Sequence, residues 1–246
     1  MLVGKAKIAH IDELHLLEHS FRFHEFKGIY GSIVEHKDAG EYQRNWLESN
    51  CCLSLDQYKR LILALKDKRY PITVRFGLEI CYFPESEDAI RKIVSDFKWD
   101  FLTGAIHWID GFGFDQRENI HVWLKSDVNG LYRRYYALMV QAIKSGIFDV
   151  IAHPDSIKCF DFYPTEDMGA LYEEVADCAR KHQVKMEFNN GLLINFGHKE
   201  LGVNRNLLGV LQRNGVSLVT ASDAHRPEDI GRYITEAEDI IKKGCA

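Results

Sequence analysis

The feature that most constrains this chain is a hydrophobic pattern whose period switches repeatedly between strand and helix. Six stretches read as strands: Glu13–Glu18, Ile72–Phe83, Phe101–Trp108, Phe148–Ala152, Val184–Phe188 and Val216–Ala221. Between them, apolar residues recur at helical spacing in Leu55–Lys68, with Ser54 as a cap, in Ser86–Lys98, and in Val128–Ser145, which stops at Gly146. Met168–His182 and Arg205–Arg213 continue the series, and two helical segments follow Pro227. Strand and helix in alternation predict a parallel sheet or barrel with helices outside. The 246 residues suit one such barrel, and no linker-like stretch divides residues 1–246 into domains. Six strands fall short of the eight of a complete TIM barrel.

The totals exclude several functions. A net charge of -5 gives no reason to expect a nucleic-acid or membrane partner. No apolar run approaches the ~20 residues needed to span a bilayer, and the first residues carry no secretory signal. Six cysteines without a CxxC pair suggest neither a zinc knuckle nor a disulfide framework, so free thiols in a reducing cytoplasm are expected. The partner is then a small molecule, with the oligomeric state left open.

Chemistry-bearing residues gather where the strands run out. ELHLLEH ends in His19, FGLEI carries Glu79, LTGAIH ends in His107, DVIAHPD carries His153, and LVTASDAH ends in Asp223 and His225. In a parallel α/β protein the C-terminal strand edges converge on one face, so these residues are expected to meet. Taken singly each has a plainer reading: a lone His is more often a hydrogen-bonded loop residue, and Ser222-Asp223 is equally suited to cap the next helix. Five coincidences at one topological position favour a shared site. Imidazoles with carboxylates suit Zn, Mn or Fe, and a carboxylate such as Glu79 can bridge two ions placed for phosphate-ester hydrolysis. His15 lies ~13 Å along the strand from His19, too far to share an ion. His24, His36, His121, His182 and His198 read as solvated, and the YRRYY cluster around Arg133–Tyr136 reads as helix packing.

EH at Glu18-His19, GLE at Gly77–Glu79, GAIHWIDGFGFD around His107, HPD at His153–Asp155 and SDAHRPEDIG from Ser222 together resemble the PHP superfamily, in its histidinol-phosphate phosphatase branch. The resemblance implies a distorted (β/α)7 barrel, up to three divalent ions, and phosphomonoester hydrolysis by a metal-bridging hydroxide, releasing L-histidinol from L-histidinol phosphate in histidine biosynthesis. It implies that Glu79 bridges two ions and Asp223 binds the first. His107 and His153 complete the second, and His19 and His225 help hold the third. Glu79, Asp223 and His225 are the implied catalytic residues.

Two departures qualify this. The family opens with a strand bearing His-x-His, and this sequence has none, so the barrel is expected to lack its first strand. The competing expectations are a longer active form, or a weakly active or non-catalytic binding or regulatory domain. The family's GLR-like segment reads GLL here, with Leu193 in place of the phosphate-binding Arg. Arg22, Lys158 and Arg226 stand beside the motifs as substitutes or as ordinary surface cations.

Overall fold

The computed structural model describes residues 2–244. Six parallel strands form one sheet: β1 (Glu13–His19), β2 (Thr73–Cys81), β3 (Phe101–Ala105), β6 (Val150–Ile151), β7 (Lys185–Asn189) and β8 (Leu218–Ala221), neighbouring one another in that order. Two further short strands, β4 (Trp108–Ile109) and β5 (Phe112–Gly113), pair as an antiparallel hairpin outside it. The sheet curls into a half-barrel whose two edges approach at their C-terminal ends. There the ring of His19, closing β1, stands 5.6 Å from that of His225, just beyond β8. The six-stranded parallel α/β fold is the one expected.

Burial separates the central strands from the edges. The second half of β2, Phe76 to Cys81, is buried without interruption, as a strand covered on both faces must be. β8 is half-buried throughout, and β1 buries only Leu14. The register also demands close approach: a side chain at Gly77 would meet the Phe101 carbonyl oxygen at 2.5 Å and the Phe101 ring at 2.7 Å. Outside the sheet, the helix Val128–Lys144 buries Tyr132, Tyr135, Tyr136, Met139, Ala142 and Ile143, one stripe at helical period. Gly146, at φ +64°, ends it as the sequence suggests. Ser54 caps Leu55–Lys66 by accepting from the Gln57 N–H.

Several boundaries moved. The chain leaves the third strand at Ala105, so His107 follows the strand and Trp108 belongs to the hairpin. Pro84–Ser86 is a separate 3-10 turn, and the helix after it ends at Val94. The opening residues form the helix Leu2–Ile8, while the helix Gly40–Asn50 and the π-helical turn Leu192–Phe196 carry no clear signal in the sequence. His198 is 5 % exposed rather than solvated. Among the described residues, no helix is long and apolar enough to cross a membrane, and Cys51, Cys52, Cys81, Cys159 and Cys178 are free. Cys245 lies outside the described residues.

Candidate metal centre

Glu79 stands at the middle of the C-terminal face. Its Oε1 lies 2.9 Å from His107 Nε2, 3.4 Å from His153 Nε2 and 3.9 Å from His19 Nε2. Glu79, His107 and His153 offer ligand atoms within 4.8 Å of one another. Each of the three imidazoles turns its other nitrogen outward to a partner. His107 Nδ1 meets Asp115 Oδ2 at 2.6 Å, His153 Nδ1 meets Ser156 Oγ at 3.2 Å, and His19 Nδ1 lies 3.5 Å from Glu18 Oε1. Outer contacts of this kind fix tautomer and ring direction in metal sites, leaving Nε2 aimed inward. The donor set therefore fits a divalent cation of the zinc, manganese or iron kind.

The backbone is shaped to make this convergence. His153 sits at φ +30° and Asp223 at φ +51°, conformations costly for non-glycine residues and characteristic of functional sites. The His153 N–H donates to Glu187 Oε2 at 3.1 Å, which holds the strained residue to β7. Gly191 is required beside Asp223, because any Cβ there would collide with the Asp223 carboxylate. The helix-cap reading of Ser222-Asp223 fails. The following 3-10 turn, Pro227–Asp229, has Arg226 at its cap, while Ser222 Oγ accepts from the Gly231 N–H.

Charge in the cluster follows from this geometry. Burial works to raise the Glu79 carboxyl, but the surrounding His19, His107 and His153 overcome it and hold it well below the usual carboxylate range. Burial likewise works against protonation of His107, and Asp115 and Glu79 reverse it, keeping the imidazole protonated well above its ordinary value. His19 and His153 are also raised against burial, both with help from Glu79. Glu187 is the opposite case. Burial, aided by Glu79 and Asp223, pushes its carboxyl up to about 7 despite His153 and Asn189.

Asp223 and His225 line the same cavity but stand apart from the compact triad. His225 Nδ1 contacts the Asp223 carbonyl oxygen at 3.0 Å, and its side chain remains 55 % exposed. All six sequence-selected ligand candidates, His19, Glu79, His107, His153, Asp223 and His225, thus line one cavity of about 370 Å³.

The candidate phosphate-binding cations require correction. Lys158 is 1 % exposed and spent on Asp155 Oδ2 at 2.7 Å and Glu200 Oε2 at 2.6 Å, a buried ion pair tying the turn after β6 to the 200s. Neither Arg22 nor Arg226 is among the residues lining the cavity. Sequence reasoning missed Asp115 and Ser156; the quoted GAIHWIDGFGFD contained Asp115, eight residues from its histidine, but only the hairpin's return brings the two together.

Comparison with known proteins agrees with this architecture. The PHP-associated family matches residues 203–244. A provisionally assigned histidinol-phosphatase of Deinococcus radiodurans is 28% identical over 205 residues, spanning 80% of this chain and 76% of its own. Among solved structures, a provisionally assigned histidinol phosphatase of Listeria monocytogenes superposes with a TM-score of 0.77 at 19% identity, covering 95% of this chain and 92% of its own. The histidinol phosphate phosphatase of Lactococcus lactis, solved with zinc, L-histidinol and phosphate, gives 0.64 at 17% identity, covering 98% and 85%. The chain is thus similar to histidinol phosphatases in fold and over much of its sequence, and to the PHP-associated family over residues 203–244.

Proposed function

We propose that this protein is a metal-dependent phosphomonoester hydrolase of the histidinol-phosphate type. The observation that carries the reading is the convergence of three outwardly braced imidazoles on the buried Glu79 carboxylate at the floor of an open cavity. A divalent ion held by Glu79, His107 and His153 supplies Lewis acidity toward a phosphoryl oxygen and lowers the pKa of water at the site. Asp115 and Ser156 keep His107 and His153 in the ligating tautomer. His19, Asp223 and His225 complete the ligand set around the cavity at the two sheet edges. In this reading Glu79, Asp223 and His225 are the catalytic residues, and the setting is cytoplasmic.

The decisive experiment pairs elemental analysis of the purified chain with hydrolysis of L-histidinol phosphate, with zinc, manganese and iron added in turn. Bound metal together with turnover supports the reading; bound metal without turnover of any phosphomonoester overturns it. A second reading, a barrel short of one strand and serving as a binding or regulatory domain, is favoured by one observation. Among the described residues, only the triad on central strands is compact, while the donors at the two open edges are spread. About one ion per chain and no turnover favours that second reading.

A further inference from the structure

The candidate metal centre uses none of the thiols, and two of them have surroundings that the others lack. Cys51 and Cys52 directly follow the helix Gly40–Asn50, on a segment laid beside residues 22–24. The Cys52 and Leu53 N–H groups donate to the Arg22 carbonyl at 3.0 and 2.8 Å, and the His24 N–H donates to the Leu53 carbonyl at 3.0 Å. This pairing gives each sulfur its own neighbour. Cys52 is exposed, and Arg22 Nη2 donates to its Sγ at 3.9 Å. The Nε of the same guanidinium is buried and meets no acceptor. Cys51 is 7 % exposed, and its Sγ lies 3.7 Å from His24 Nδ1. Cys81, Cys159 and Cys178 are all buried, and burial pushes each of these thiols up. The Cys159 and Cys178 thiols are also spent on the Phe114 and Val140 carbonyls, each at 3.8 Å.

We propose that Cys52 and Cys51 form a peroxide-responsive modification site, with Cys52 as the reacting sulfur and Cys51 as the thiol that resolves it. The proposal does not depend on the phosphatase reading. An exposed sulfur beside a cation is the microenvironment in which thiols are oxidised selectively. Deprotonated Cys52 attacks one oxygen of hydrogen peroxide or an organic hydroperoxide, and the O–O bond breaks. Cys52 becomes a sulfenic acid, while the other oxygen leaves and takes a proton from solvent, as water or an alcohol. Burial pushes the Cys51 thiol up, so it waits protonated and needs a base. His24 Nδ1 takes that proton as the Cys51 sulfur attacks the Cys52 sulfur. A disulfide forms, and the displaced hydroxide recovers the proton from His24 and leaves as water. The peroxide is reduced by the two electrons that the thiol pair loses. A bridge between neighbouring residues is strained, so a dithiol reductant reverses it.

Peptide mapping of the reduced, zinc-loaded protein during a hydrogen peroxide titration tests this. With dimedone present to trap sulfenic acid, the adduct is expected on Cys52 at least about tenfold faster than on Cys81, Cys159 or Cys178. Labelling no faster at Cys52 than at those three overturns the site. Without dimedone, Cys51 and Cys52 are expected to resist alkylation within one chain until a dithiol reductant is added. A sulfenic acid that persists at Cys52, or a Cys52 bridge to a second chain, overturns Cys51 as the resolving thiol. Two variants separate the roles, with circular dichroism to establish that each is folded. Cys51→Ala is expected to let the trapped Cys52 adduct accumulate, and an unchanged yield counts against resolution by Cys51. Arg22→Gln is expected to slow Cys52 labelling by at least about threefold. An unchanged rate in that variant overturns the part assigned to the guanidinium.

Discussion

The site has a central half and an edge half, and they are built to different standards. Glu79, His107 and His153 come from β2 and the ends of β3 and β6, each with a parallel neighbour on both sides. Their side chains are 5 %, 17 % and 9 % exposed, and their ligand atoms fall within one ion's reach. His19, Asp223 and His225 come from the ends of β1 and β8, which have a neighbour on one side only. There the His225 side chain is 55 % exposed, and His19 Nδ1 stands 3.5 Å from its outer partner rather than the 2.6 Å of His107. Position is over-determined where a strand is paired twice and packed on both faces, and looser where pairing stops. A metal ion held across this half-barrel would therefore have a stronger inner site, at Glu79, His107 and His153, than rim.

The largest effect that would break this contrast is at Glu79. Replacing it with Ala removes the carboxylate shared by three imidazoles and is expected to abolish metal retention and lower turnover by more than about 100-fold. Elemental analysis and phosphatase assay of the dialysed variant check this; metal retention at the parental level would refute a central role for the carboxylate.

The outer partners sharpen the same comparison. Asp115→Asn is expected to weaken metal binding by roughly 10–100-fold, measured by competition with a chelator. Glu18→Gln, at the looser edge contact, is expected to weaken it by less. If Glu18→Gln costs as much as Asp115→Asn, the two halves do not differ as described.

The smallest effect concerns Glu187 in the metal-free protein. In the fold its carboxyl keeps a proton up to about pH 7, whereas an unperturbed glutamate releases it near 4.5. Between these values the folded state binds more protons, so this group's contribution to stability is complete below about 4.5 and is lost as pH rises toward 7. Glu187→Gln does not titrate. Relative to the parent it is expected to gain about 2 kcal/mol between pH 5 and pH 8 in denaturant unfolding. A parent–variant difference that does not change with pH would show that the glutamate is not held protonated.

Much of the site was legible because its signals are local. A strand's end and the polar residue upon it can be read from a few consecutive residues, so His19, Glu79, His107, His153, Asp223 and His225 could be selected one by one. The helix Val128–Lys144 was legible for the same reason, with its tyrosine stripe and the glycine that stops it. Residues 20–50 were not. Their short helices take their order from packing, as when Gln43 in one of them is satisfied by Gly111 and Asn119 far along the chain. Lys158 misled for a related reason: a lysine beside a motif reads as a surface cation until Asp155 and Glu200 are seen to close around it.

The sequence by itself determined the α/β alternation, the six strands and the residues standing at their C-terminal ends, because strand period, helix period and turn chemistry act over a few residues. Tertiary structure alone decided that one Glu79 oxygen faces three imidazoles, that Asp115 and Ser156 brace two of them, and that Trp46 and Trp108 share a wall of the cavity. The Glu79 and Trp46–Trp108 relations depend on register and curl between segments tens of residues apart, set by packing over the whole sheet, and the two nearer braces depend on the turns that follow each histidine.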